Sequence, residues 1–154
     1  MENKQAALEK ARAYAFLLLK FRPRSSQEIS DRLKQKKYPS SVTKETVEFL
    51  KEKKFLNDAQ FAGLWINSRL NCAMGFNRIR NELALKGIDK KIIDSSLGKI
   101  AKEYSEGKVV KELAQARMAR LKNIEPLKAK KSVFGYLARR GFDLETIMDV
   151  LEQL

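Results

Sequence analysis

The sequence predicts an all-α protein: three tandem three-helix repeats forming an elongated, curved array. Three observations carry this. Only seven glycines and three prolines punctuate 154 residues, too few for an all-β chain that turns every ten residues or so. Charged residues make up 33% and hydrophobic ones 44%, a mixture that suits long solvated helix faces around an apolar core. And one apolar pattern recurs three times.

That pattern begins at Ile29, with Leu33, Tyr38, Val47 and Leu50 following. It returns as Ile79, Leu83, Ile88, Leu97 and Ile100, and again as Val133, Leu137, Phe142, Leu151 and Leu154. The offsets are 0, 4, 9, 18 and 21 each time. Spacings of 3 and 4 belong to any amphipathic helix, but the offset of 9 crosses a helix break and is not explained that way.

The elements follow in order, giving repeats over 1–56, 57–104 and 105–154. The first helix runs roughly from Lys4 to Phe21, carries Ala11, Ala15, Phe16 and Leu19, and ends at Arg22-Pro23. Ser25 to Glu28 has the form of a capping box opening the second helix. Lys36-Lys37-Tyr38-Pro39 breaks that helix, with Ser40 and Ser41 expected to cap the third. In the second repeat Asn57 is a plausible N-cap with Gln60 three residues on, and Phe61, Trp65, Ile66 and Leu70 form one stripe ending near Met74-Gly75. The breaks Lys86-Gly87-Ile88 and Arg140-Gly141-Phe142 place a cation, a glycine and an apolar residue where a helix C-terminus favours them, and Asp89 and Asp143 stand where the next helix needs its cap. Val109, Val110 and Leu113 begin the helix that ends before Pro126.

Chemistry is narrowly bounded. Histidine is absent, which removes histidine bases, histidine metal ligands and nucleophilic triads together. No CxxC pair and no glycine-rich phosphate cradle is present. Cys72 stands alone and is expected to be an ordinary half-buried residue. Asp89 with Asp94, and Asp143 with Glu145, sit at helix starts and suit capping better than magnesium binding. A binding protein with no cofactor is expected, not an enzyme. Phe16, Phe61, Trp65 and Phe142 fall on apolar stripes and belong to the core; Tyr136 and Phe76 lie off them and suit surface contact.

The net charge is +13, which draws a protein to polyanions. Basic residues exceed acidic ones in all three repeats, and many lie around each repeat's second helix. The apolar run Ala15–Leu19 is far short of the ~20 residues a membrane span needs, and Met1 to Gln5 has no signal-peptide core.

Phe61-Ala62, Arg69, Gly75, Ile79, Glu82-Leu83 and Lys86-Gly87-Ile88, with Leu56-Asn57-Asp58 upstream, resemble the central motif of RecX proteins. Arg24-Ser25, Glu28-Ile29 and Arg32-Leu33 fit the same pattern in the first repeat, whereas Lys37 departs from the usual glycine. The resemblance implies a cytoplasmic regulator, chiefly an inhibitor, of the RecA recombinase, acting in DNA recombination, repair and the SOS response. It implies binding to RecA and to its filament on single-stranded DNA; weak direct DNA binding is open besides, and a monomer is the expected state. Arg22, Arg24, Arg32, Arg69, Arg78, Lys86, Lys128, Lys131, Arg139 and Arg140 are the residues expected to form the partner or DNA face. The competing reading is a direct nucleic-acid-binding protein using its helical modules for phosphate contacts.

Overall fold

The computed structural model describes residues 2–154. Among them are nine α-helices and no strand: α1 Glu2–Phe21, α2 Ser26–Gln35, α3 Ser40–Glu52, α4 Asp58–Asn71, α5 Phe76–Leu85, α6 Lys90–Ala101, α7 Glu106–Arg120, α8 Pro126–Arg139 and α9 Leu144–Glu152. The chain forms two compact units. Unit 1 holds the residues up to Leu64 together with Leu83–Ile93, and unit 2 holds Trp65–Glu82 with Asp94–Leu154. Helices α4, α5 and α6 therefore contribute residues to both.

In unit 1, α1 packs on α2 and α3. Leu8, Ala11, Ala15 and Leu18 recur at helical spacing and bury one stripe of α1 against Ile29, Leu33, Val42, Leu50 and Leu56. Ala11 and Ala15 are fully enclosed, and their small side chains let the neighbouring helices approach closely. Each enclosed Leu or Ile stabilises by about 1.5–3 kcal/mol relative to leaving it in water. Ser25 opens α2 with the expected box: its Oγ accepts the Glu28 N–H at 3.1 Å, and its own N–H donates to Glu28 Oε1 at 3.2 Å. Asn57 Oδ1 accepts the Gln60 N–H at 3.0 Å and Asp89 Oδ1 the Lys91 N–H at 2.8 Å, capping α4 and α6.

Unit 2 closes α7, α8 and α9 around Val110, Ala114, Val133, Leu137, Phe142, Ile147 and Leu151. Ser105 caps α7 and Asp143 caps α9, while Pro126 occupies the first turn of α8, where its missing N–H costs nothing. α6 ends at Ala101, so the last helix of the second repeat does not run on into the third.

Four expectations need correction. Ser40 and Ser41 lie inside α3 and do not cap it; Pro39 holds the N-cap position and offers no side-chain acceptor. Leu154 lies beyond α9 and is exposed, and the residue that repeats instead is at offset 14, where Thr43, Ile93 and Ile147 are all buried. Phe16 is 37% exposed, because α1 turns Ala15 and Leu18 inward and Phe16 falls on the flank. Cys72 is exposed, standing just past the end of α4.

The first break proves to be the same turn as the other two. Lys37 adopts φ +65°, as Gly87 (+77°) and Gly141 (+91°) do at equivalent positions. The following N–H returns to the carbonyl five residues back in each: Tyr38 to Leu33, Ile88 to Leu83 and Phe142 to Leu137. This is the left-handed helix stop that glycine adopts at little cost and lysine adopts with strain.

Candidate basic interface

One joint recurs in both units, and it positions most of the basic candidates. In unit 1 the start of α2 meets the turn after α5. Ser25 Oγ donates to the Lys86 carbonyl at 2.7 Å, and Asp58 Oδ1 accepts the Ser26 N–H at 2.9 Å. Fifty residues on, in unit 2, the start of α5 meets the turn after α8. The Gly75 N–H donates to the Arg140 carbonyl at 2.8 Å, the Asn77 N–H to the Gly141 carbonyl at 3.1 Å, and Glu106 Oε1 accepts the Phe76 N–H at 2.6 Å. A β-carbon on Gly87 would sit 2.4 Å from Gln27 Cβ, and one on Gly141 2.2 Å from Arg78 Cβ. Glycine is thus required at both turns for clearance as well as conformation. Lys37, at the equivalent turn of the first repeat, is exposed.

In unit 2 this joint gathers Arg69, Arg78, Arg139 and Arg140. Glu82 is the hub. It accepts two bonds from Arg69 (2.8 and 3.0 Å), one from Arg78 at 3.2 Å and one from Trp65 Nε1 at 2.9 Å. Burial pushes the Glu82 carboxyl up, but these donors outweigh it and hold the group below the usual carboxylate range. Arg78 also reaches the Arg139 carbonyl at 3.3 Å. Arg140 donates from Nε to the Ala73 carbonyl at 3.0 Å and from Nη2 to the Cys72 carbonyl. Arg117 lies 3.8 Å over the ring of Tyr136, with Arg140 at 5.4 Å from the same ring. Arg117 was not among the sequence candidates: its partner lies on another helix, and no local spacing reports that pairing. Lys128 and Lys131 are exposed earlier on α8, and Arg139 is exposed at its end.

In unit 1, Arg22 donates to Glu28 at 2.6 Å and Lys86 lies 3.9 Å from the same carboxylate. Burial raises the Glu28 carboxyl, and Arg22, the Ser25 N–H and Lys86 together bring it below its ordinary value. Arg24 is half-buried with Nε on the Leu18 carbonyl at 3.3 Å, and Arg32 is exposed on α2.

The candidates therefore divide by chemistry. Arg69 and Arg140 direct their donors inward and position the joint, while Arg32, Lys128, Lys131 and Arg139 stand exposed where a phosphate or carboxylate can reach them. No group of three or more carboxylates and cysteines that could hold a metal occurs among the described residues. No helix there is long and apolar enough to cross a membrane.

Comparison with known proteins gives a consistent result. Family models for the first, second and third three-helix domains of RecX match residues 11–50, 57–97 and 108–151. The chain is 31% identical over 136 residues to the regulatory protein RecX of Amycolatopsis mediterranei (strain U-32), covering 87% of this chain and 77% of that one. It is 35% identical over 148 residues to the regulatory protein RecX of Mycobacterium sp. (strain JLS), covering 93% and 80%. The crystal structure of RecX from Lactobacillus salivarius shares the fold, with a TM-score of 0.84, 19% identity and 97% of each chain covered.

Proposed function

The chain belongs to the RecX family of regulatory proteins, and on that premise we propose that it regulates, and chiefly inhibits, the RecA recombinase. In this reading it acts in the cytoplasm by binding RecA and the filament RecA forms on single-stranded DNA. The carrying observation is that all three family domains match in order along nearly the whole chain. Residues 1–56, 57–104 and 105–154 are taken as the three repeats of this regulator. Its relatives are named as regulatory proteins, which supports binding over catalysis.

Lys128, Lys131 and Arg139 are the cations we assign to the partner face, because they are exposed and their loss leaves the joint intact. Arg140 is a poor choice for testing that face, since replacing it would orphan the Ala73 and Cys72 carbonyls. The triple variant Lys128→Glu, Lys131→Glu, Arg139→Glu is expected to keep its helical circular dichroism and to bind RecA–single-stranded DNA filaments at least about tenfold more weakly. Unchanged filament binding by the folded variant would remove these residues from the face.

The second reading, direct binding of nucleic acid through phosphates, is favoured by the net charge of +13. The two separate on whether any effect on RecA persists when DNA is in excess.

A further inference from the structure

A groove in unit 1, distinct from the arginine joint, is lined by the apolar Leu19, Pro23, Phe55, Phe61 and Leu64, by Arg24 and by the two amides of Asn57 and Gln60. We propose that it docks an acidic amphipathic helical segment of a protein partner. The inference does not rest on the RecA reading, and its test uses no RecA.

The argument begins with exposed apolar surface. Phe55 is 55% exposed and Leu64 51%, and Phe16, whose ring meets that of Phe55 edge-on at 4.8 Å, is 37% exposed. The turn that presents Phe55 makes this unusual. Lys54 adopts φ +64° and the Phe55 N–H returns to the Leu50 carbonyl at 2.8 Å, the same left-handed stop that ends α2, α5 and α8. At the equivalent place after α8, Phe142 folds back and is 1% exposed. After α3 the buried position is taken by Leu56, and Phe55 is left facing water. Clustered apolar groups of this kind mark interaction sites more often than scattered ones do.

Charge selects the occupant. The exposed Lys20 adjoins Leu19, and Lys53 and Lys54 immediately precede Phe55, while Arg22 is paired with Glu28. No carboxylate lines the groove. Arg24 does line it; among the described residues the Leu18 carbonyl holds its Nε and no hydrogen bond takes its terminal nitrogens, which can reach a carboxylate. Leu19, Pro23 and Leu64 are aliphatic, and the aromatic pair meets edge to face, so the surface suits apolar side chains spaced by a helical turn better than stacked bases.

The test titrates the full ¹⁵N-labelled chain with a synthetic amphipathic helix bearing Leu or Phe on one face and Glu on the other. A version with Lys for every Glu and an oligothymidylate serve as the other two probes. The acidic peptide is expected to give saturable shifts at Phe16, Arg24, Phe55 and Leu64, and Phe55→Glu with Leu64→Glu to weaken it at least about tenfold with Tm unchanged. Both side chains are half-exposed, so the variant should fold; should it not, Arg24→Gln supplies the same comparison. No saturable shift, equal binding of the lysine peptide, or tighter binding of the oligothymidylate at these residues would each overturn the proposal.

Discussion

Lys37 and Gly141 occupy the same left-handed turn for different reasons, and they should respond oppositely to substitution. Lys37 is exposed and left-handed, so Lys37→Gly should stabilise the protein by about 1 kcal/mol in urea unfolding. Gly141→Ala should destabilise it by more than about 2 kcal/mol, since a β-carbon meets Arg78 as well as adopting a strained φ. Two glutamates make a second contrasting pair. The Glu82 carboxyl is depressed, so its contribution is present above the ordinary glutamate value of 4.5 and lost as pH falls through its folded pKa. Glu106 is raised, by burial and then by Asp143, against the opposing Phe76 N–H and Arg80. Ionising Glu106 therefore costs stability as pH rises from its ordinary to its folded value. Glu82→Gln should lower stability at neutral pH and flatten the acid limb of the stability profile, whereas Glu106→Gln, which keeps an acceptor for Phe76, should hold or raise stability at neutral pH. The same sign for both would show that the two carboxylates are not held as described. At this scale the sequence conveys residue type but not partner: the choice of Glu82 as hub depends on Trp65 and Arg69 of α4 reaching it on α5.

Helices were far more legible than their partners. Ser25 with Glu28, Asn57, Asp89 and Asp143 announce helix starts because capping is a local matter of one side chain and the N–H two or three residues on. The Ser40 and Ser41 expectation failed for the same local reason, since Pro39 already fixes the entry and places both serines within α3. The register of each repeat's third helix was legible only in part. Its buried anchor, at Thr43, Ile93 and Ile147, was hidden because the first repeat uses a polar residue there. Thr43 Oγ1 is buried without a hydrogen-bond partner, so the first repeat carries a hydroxyl where the others carry hydrocarbon. Thr43→Val preserves shape and removes that group, and should raise the urea midpoint by the equivalent of about 1 kcal/mol. A lowered midpoint would mean that the hydroxyl is satisfied in solution.

For the whole molecule, the all-helical fold followed from scarce turn residues and a pattern repeated three times. The joint between successive repeats did not. It is made by hydrogen bonds that each use at least one backbone group and by clearance at Gly87 and Gly141, and in the sequence these are only two more glycines. Family membership adds what the physics of the chain leaves open, a regulatory role, and the net charge of +13 is compatible with either protein or nucleic acid as the anionic partner. The measurement that decides most directly is the DNA-dependent ATPase of RecA on saturating single-stranded DNA, with this protein titrated well below the RecA concentration. The account predicts a fall in rate that further DNA does not rescue; an unchanged rate, or an inhibition that excess DNA abolishes, would contradict it.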